Sequence, residues 1–224
     1  HESRYIEFLS PQWMNVLDFT VNKAGELGMG VDMTQGTGWP FGGPQVKPEY
    51  AASKLIIQRY ALKGGQSLTE NILVNDAKQQ ELGPMLQAVM AYGDKGEILN
   101  ITDKVSPEGK LNWTPKTGTW QLYAAFNGKT RQMVKRAAPG GVGYTLDHLN
   151  KDAVLAYLER FSQAFGNKNY GVRAFYNDSY EVYGADWTPS FLEEFRKRRS
   201  YDLRPYLREL TSEEKTENIA RLKA

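Results

Sequence analysis

Residues 29–44, which read MGVDMTQGTGWPFGGP, decide the predicted fold class. The first five form a short apolar run that predicts a strand, and the turn residues 34–44 that follow predict a loop. Apolar residues before the strand recur at helical spacing, at Trp13, Val16, Leu17, Val21, Ala24 and Leu27. A helix, a strand and a long loop in succession are typical of one unit of an α/β protein.

Capping residues predict where the helices of this α/β pattern begin and end. Ser10 with Pro11 favours the start of the first helix, and Gly28 favours its end. The rhythm returns near residue 150, where Asn150 and Gly166 bound a second helix with an apolar stripe. A strand is predicted at 172–176. Two further helix starts are predicted at Thr188–Pro189 and, from the spacing of a capping box, at Thr211 with Glu214.

Residues 45–140 have a different pattern, in which short β-type runs alternate with turns. The runs are 55–60, 97–102, 120–126 and 132–135, and glycine or proline turns separate them. This segment therefore predicts a β-rich insertion into the α/β framework. We expect both ends of the sequence to be cuts from a longer protein.

The composition excludes several classes of function. The 224 residues carry 28 basic and 26 acidic side chains, a net charge of +2, which gives no strong field for nucleic acid. There is no cysteine, so disulfides and thiolate metal sites are excluded. The two histidines, His1 and His148, do not have the spacing of a metal-binding pair. No apolar run is long enough to predict a membrane span.

An acidic cluster follows the predicted strand 172–176. Asn177, Asp178 and Glu181 lie within five residues of one another. In parallel α/β folds, catalytic groups lie on the loops after the strands, and general acid catalysis needs a carboxylic acid there. Capping of the helix expected near Thr188 is the alternative interpretation, and position alone favours neither.

The glycine-rich loop 34–44 invites comparison with phosphate-binding loops, but its spacing does not fit. It lacks the terminal Gly-Lys-Ser/Thr of a P-loop, and its glycines do not follow the dinucleotide-binding pattern. What remains is a rigid turn that presents Trp39 and Phe41. These rings either stack on a ligand or pack into the core, and the sequence leaves both open.

Three segments together resemble glycoside hydrolase family 106. They are residues 28–44, residues 135–148 with Lys-Arg-Ala-Ala-Pro-Gly-Gly at the start and Leu-Asp-His at the end, and residues 174–182, AFYNDSYEV. The resemblance spans nearly the whole chain. It implies that residues 1–224 are the N-terminal part of a glycosidase catalytic domain. The fold implied is an α/β fold, a partial (β/α)8 TIM-like barrel with the β-rich insertion at 45–140.

The same resemblance implies an inverting α-L-rhamnosidase that acts on oligo- or polysaccharides. Glu181 would be the general acid, and a carboxylate base is expected beyond Ala224, so the chain alone is expected to be inactive. A calcium ion, with unknown ligands, and a periplasmic or extracellular location are further implications. Candidates for contact with substrate or calcium are Asp32, Trp39, Asp147, Asn177 and Asp178.

Two other functions stay open at this point. One is a carbohydrate-binding barrel without catalysis, and the other is a glycosidase of different specificity, similar to those of family 2. A catalytic carboxylate on a later strand would separate the first from an enzyme, and the preferred glycoside would separate the second.

Overall fold

The computed structural model describes residues 4–138, 140–177 and 180–223. Its α-helices are α1 (Pro11–Glu26), α2 (Ala77–Gln80), α3 (Lys151–Phe165), α4 (Phe191–Arg199), α5 (Leu207–Leu210) and α6 (Glu217–Lys223). Its strands are β1 (Asp32–Thr34), β2 (Gly42–Gly43), β3 (Ser53–Lys63), β4 (Met85–Gly93), β5 (Ile98–Asn100), β6 (Thr119–Lys129), β7 (Tyr144–Thr145) and β8 (Ala174–Tyr176). The chain divides into a first unit, residues 1–53 with 129–185, and a second unit, residues 54–128 with 186–224.

The two long helices of the first unit begin and end where the capping residues predict. The Trp13 amide donates to Ser10 Oγ at 3.2 Å, and Pro11 is the first residue of α1. In the same way, Asn150 Oδ1 accepts from the amides at the start of α3, and Gly166 ends this helix with φ +54°. These helix predictions are confirmed, because caps depend only on neighbouring residues.

The first unit contains the α/β part of the chain. Strands β1 and β8 pair in parallel, with Asp32 opposite Ala174 and Thr34 opposite Tyr176. Helices α1 and α3 contribute to one apolar core with the inward residue of β1 and the loop segments. Its buried members are Leu9, Met14, Leu17, Met33, Val46, Ala51, Leu146, Ala153, Tyr157 and Phe161.

The second unit is built on a four-stranded sheet in the order β3-β6-β4-β5. Side chains alternate between its faces. Val89, Ala91, Leu122, Ala124 and Phe126 belong to one apolar core. Ala88, Met90, Tyr92, Tyr123 and Ala125 belong to the other, together with Trp187 and residues of α4 and α5. Both faces are therefore buried, so β4 is a nearly continuous apolar run without the alternation that predicts a half-exposed strand.

The other predicted strands and helix starts are confirmed only in part. The strands predicted at 55–60 and 120–126 are confirmed within β3 and β6, whereas only Ile98–Asn100 forms a strand within 97–102. Residues 132–135 contribute isolated bridges rather than a strand. The helix starts at Thr188–Pro189 and Thr211 are wrong: α4 begins at Phe191 and α6 at Glu217, where Thr216 Oγ1 accepts from the Ile219 amide.

The predicted (β/α)8 TIM-like barrel is wrong for the described residues. The β1–β8 pair is parallel but only three residues long in each strand, and the pairs β2–β7, β4–β5 and β4–β6 are antiparallel. No barrel is closed by the residues described. Alternating helices and strands predict single βα units, but barrel closure needs a ring of parallel strands with a fixed stagger. Here the longest strands form a separate antiparallel sheet instead.

Candidate active site

The parallel pairing of β1 and β8 decides where the candidate site lies. Both strands end at the same edge, with Thr34 opposite Tyr176. The loop that follows β1 and the loop that follows β8 therefore leave from one edge of the pair. All the contacts described for this site are within the first unit.

The glycine-rich loop packs backbone to backbone against residues 135–137 and 141–145, which explains its composition. A Cβ on Gly38 would lie 2.7 Å from the Lys135 carbonyl oxygen, and one on Gly42 would lie 2.3 Å from that of Tyr144. Real Cβ atoms do not approach backbone this closely, so only glycine fits at either position. The glycines thus serve close packing rather than the binding of phosphate.

Tyr157 on α3 fixes this loop by hydrogen bonds to its backbone. Its hydroxyl donates to the carbonyl oxygens of Gln35 at 2.5 Å and Gly42 at 2.8 Å. Burial raises the pKa of Tyr157, so the hydroxyl keeps its proton and remains a donor. Phe41 packs on the Tyr157 ring with centroids 4.9 Å apart, so this residue is core packing rather than a ligand platform.

Trp39 is fixed through its backbone to Lys135. The Trp39 amide donates to the Lys135 carbonyl oxygen at 3.0 Å, and the Lys135 amide donates to that of Trp39 at 2.6 Å. The Trp39 ring is half-buried. The Lys135 ammonium lies 5.9 Å from its centroid and 6.0 Å from the centroid of Tyr183. One lysine therefore joins the loop after β1 to the loop after β8.

Glu181 lies exposed on the loop after β8, and Gln132 holds its backbone. The Gln132 side-chain amide donates to the Glu181 carbonyl oxygen at 3.1 Å and accepts from the Tyr183 amide at 2.8 Å. The Tyr183 hydroxyl lies 3.5 Å from Glu181 Oε2, at the long limit of a hydrogen bond. The carboxylate is thus accessible to a ligand and is carried by a braced loop.

Asp32 is engaged by Arg173 across the two parallel strands. Arg173 Nε donates to Asp32 Oδ1 at 2.8 Å, and Arg173 Nη2 donates to Oδ2 at 2.6 Å. This two-pronged bond from Arg173 lowers the pKa of Asp32. Both oxygens of this predicted contact residue therefore have a partner within the protein.

Asp147 is buried, with 2% of its surface exposed. Its Oδ1 accepts from the Leu149 amide at 3.1 Å. Buried Lys129 donates to the carbonyl oxygens of Glu49 and Ala51 and to Ser53 Oγ. Burial lowers the pKa of Lys129, and the charges of Asp147 and Glu49 oppose this shift. Asp147 thus belongs to a buried polar group, away from solvent.

The remaining predicted contact residue within the description is Asn177, which is half-buried directly after β8. Asp178 lies outside the described residues. His148 lies against Tyr180 with ring centroids 4.8 Å apart. Three residues of this site were not predicted from the sequence, because their spacing is not that of a motif: Gln132, Lys135 and Tyr183. Two weak signals exist, since Lys135 opens a segment that carries the family resemblance and Tyr183 lies two residues after Glu181.

The calcium ion implied by the resemblance does not find a ligand set in the described part of the chain. There, no three side chains of His, Cys, Asp or Glu come together as a group that could hold a metal. Asp32 is paired and Asp147 is buried. The described residues therefore do not fit a calcium ion. None of the described helices has the length and apolar character needed to cross a bilayer.

These features define the class: an α/β unit that carries an exposed carboxylate and aromatic rings on the loops after two parallel strands, as glycosidase sites do. The family model of α-L-rhamnosidases, glycoside hydrolase family 106, matches residues 2–91 and 74–215. The chain belongs to this family, as its motifs predicted.

Two known proteins are similar to this chain. A Formosa agariphila protein named as a β-glucuronidase is 26% identical over 90% of this chain and 21% of its own length. The structure of a rhamnosidase from Novosphingobium sp. PP1Y superposes with a TM-score of 0.73 at 17% identity, over 92% of this chain and 36% of that one. The second likeness shows a shared fold. The chain thus spans well under half the length of either relative.

Proposed function

We propose that this chain carries the general acid of a glycoside hydrolase that cleaves α-L-rhamnosides, with Glu181 as the acid. One observation carries the proposal: in a chain of the α-L-rhamnosidase family, Glu181 is an exposed carboxylate on the braced loop after β8, beside Tyr183. A proton donor must reach the glycosidic oxygen of a bound sugar, and this position leaves the carboxyl group open to one.

In the proposed reaction, the Glu181 carboxyl group gives its proton to the glycosidic oxygen as the bond to the anomeric carbon breaks. An inverting enzyme needs a second carboxylate about 6.5–9.5 Å away, which takes a proton from the attacking water on the opposite face of the sugar. Asp32 is paired with Arg173 and Asp147 is buried, so neither is a suitable base. We expect that base outside residues 1–224.

A β-glucuronidase is the second candidate, because the Formosa agariphila relative that carries this name aligns with 90% of the chain. It is a glycosidase of different specificity on the same framework. The same general acid would serve either reaction. A carbohydrate-binding protein without catalysis is the third, and it predicts binding of the sugar without release of product.

Hydrolysis of an aryl α-L-rhamnoside and an aryl β-D-glucuronide by the complete protein tests the proposal. We expect the rhamnoside to be cleaved. Glu181→Gln should lower turnover of an unactivated rhamnosyl disaccharide by about 10²–10⁴-fold, the usual contribution of general acid catalysis. The loss on the aryl rhamnoside should be smaller, because a phenolate that leaves easily needs little help from a proton.

Glu213→Gln is the matched control, since Glu213 is exposed and has the same side chain. This variant should cleave the rhamnosyl disaccharide and the aryl rhamnoside at the wild-type rate. Near-normal cleavage of the disaccharide by Glu181→Gln would remove Glu181 from the reaction. Cleavage of the glucuronide alone would favour the second candidate, and binding without cleavage would favour the third.

Calcium and an exported location belong to the proposal on the strength of the family resemblance. The described residues supply no ligand set, so calcium ligands are expected elsewhere in the complete protein. Polysaccharide fragments are met outside the cell, which is the reason for expecting a periplasmic or extracellular enzyme.

A further inference from the structure

The segment that packs against the glycine-rich loop is basic. Residues 130–146 contain Arg131, Lys135 and Arg136 and no aspartate or glutamate. Arg136 has φ +54°, a backbone conformation that residues with a side chain seldom adopt. Strained residues of this kind concentrate at functional sites. The segment that holds the loop of Glu181 through Gln132 therefore also brings positive charge to the candidate site.

Lys135 is held so that its ammonium group faces the site. Its backbone bridges that of Trp39 through two hydrogen bonds. Its Nζ lies about equally far from the ring centroids of Trp39 and Tyr183, at 5.9 and 6.0 Å. Because the Tyr183 hydroxyl lies 3.5 Å from Glu181 Oε2, the lysine and the proposed acid both lie beside the Tyr183 side chain.

Among the described residues, Lys135 has no carboxylate partner, although its side chain is exposed. Many other cations of the chain have one. Lys23 pairs with Glu26, Lys197 with Glu194, and Arg173 with Asp32. An ammonium over two rings and without a counter-charge is ready to bind an anion, because ring faces stabilise the cation but do not neutralise it.

We propose that Lys135 selects a saccharide that carries a carboxylate or sulfate group on a sugar next to the bond that is cleaved. This inference rests on the proposed function. Trp39 and Tyr183 offer ring faces for the sugar, and the Lys135 ammonium between them receives the acidic group. A compact charge binds carboxylate and sulfate alike, so the experiment must distinguish the two.

The test measures binding to the complete protein with Glu181→Gln, which keeps the probes intact. The probes are α-L-rhamnosyl-glucuronic acid, its uncharged methyl ester, and a rhamnosyl disaccharide with and without one sulfate group, each titrated by calorimetry. We expect one of the two acidic probes to bind about tenfold more tightly than its neutral partner, which corresponds to one charge-assisted contact. Raising the salt from about 50 mM to about 500 mM should reduce this preference, because screening weakens the contact.

A second substitution assigns the preference to Lys135. Lys135→Met should abolish it, and Lys135→Arg should keep most of it. Lys168→Met is the matched control: Lys168 also lies over a ring, that of Tyr170 at 5.7 Å, but its ring partner is neither Trp39 nor Tyr183. This variant should keep the full preference. Melting temperatures measured in parallel show that each variant is folded.

Two results would overturn the inference: equal affinity for acidic and neutral probes, or a preference that survives Lys135→Met. The proposed function is tested separately by cleavage of the neutral aryl rhamnoside by the unsubstituted protein. Cleavage without a preference that depends on Lys135 leaves the function standing and removes the inference. A preference without cleavage of any rhamnoside keeps the anion site and removes the proposed reaction.

Discussion

At the scale of single residues, the partners of the predicted site residues decide what each can do. Asp32 is predicted at the end of its strand but is the first residue of β1, and both of its oxygens are bound by Arg173, which is 141 positions away in the sequence. Glu181 has no such partner among the residues described and remains exposed. The two carboxylates look alike in the sequence, and only their surroundings separate an ion pair from a candidate acid.

The Asp32–Arg173 pair predicts how stability depends on pH. Because the bond from Arg173 lowers the folded pKa of Asp32 below its ordinary 3.8, the pair stabilises the fold fully above that pH. This contribution is lost as the pH falls through the folded pKa. Asp32→Asn should therefore lower the melting temperature modestly at neutral pH, and its difference from the wild type should shrink below pH 3.8.

Thermal melts of the complete protein at a series of pH values check this expectation. Asp18→Asn is the control, because Asp18 is an exposed carboxylate on α1. It should melt with the wild type throughout the series. A deficit for Asp32→Asn that stays constant into the acid range would mean that the carboxylate is not stabilised by Arg173.

At the scale of elements, the glycine-rich loop shows that the same composition can serve anion binding or close packing. Its glycines suggest an anion-binding turn, and spacing alone rejects that interpretation. The glycines allow close packing against residues 135–137 and 141–145, where a Cβ on Gly42 would meet backbone atoms of Tyr144 and Thr145. Backbone atoms cannot move aside as the end of a flexible side chain can. The loop and its partner segment therefore form one braced part of the site.

Gly42→Ala should thus destabilise the protein by about 1–3 kcal/mol, the usual cost of forcing extra volume into a packed site. It should also lower activity, because Trp39 and Lys135 are held by the same packing. Chemical denaturation measures the stability, and cleavage of the aryl rhamnoside measures the activity.

Gly25→Ala is the matched control with the opposite expected sign. Gly25 lies inside α1 and has no atom within 4 Å of an added Cβ. Alanine is the better helix former by about 1 kcal/mol, so this variant should be slightly more stable. If Gly42→Ala were as well tolerated as Gly25→Ala, the proposed close packing of the loop would be refuted.

At the scale of the whole molecule, the proposed reaction needs groups that the described residues do not supply. Residues 1–224 correspond to 21% of one relative and 36% of another. The described residues provide a candidate acid without a suitable base and without a group of metal ligands. We expect both groups in parts of the complete protein outside the described residues.

Removal of calcium from the complete protein tests this dependence. A chelator should abolish cleavage of the aryl rhamnoside and lower the melting temperature, because a metal that binds only the folded state stabilises it by about 3 kcal/mol at a hundredfold excess over its Kd. Calcium, and not magnesium, should restore both. Full activity and an unchanged melting temperature in the chelator would contradict the calcium proposal.

Sequence by itself determined the features that depend on neighbouring residues. Local patterns predicted the caps of α1 and α3, the central residues of β3 and β6, and the family motifs. Strand β4 escaped prediction because it is buried on both faces, so its residues do not alternate in polarity. The acidic residues after β8 could be singled out from the sequence because they directly follow a predicted strand.

Only the tertiary structure decided the partners. In the folded chain β1 pairs with β8, and no closed barrel forms among the described residues. Asp32 forms an ion pair with Arg173, and Asp147 is buried. Lys135 lies near the rings of Trp39 and Tyr183. The physical reason is that capping and periodicity act over one or two turns of chain. Ion pairs, close backbone packing and ring contacts join residues far apart in sequence, and these set which carboxylate is free to act.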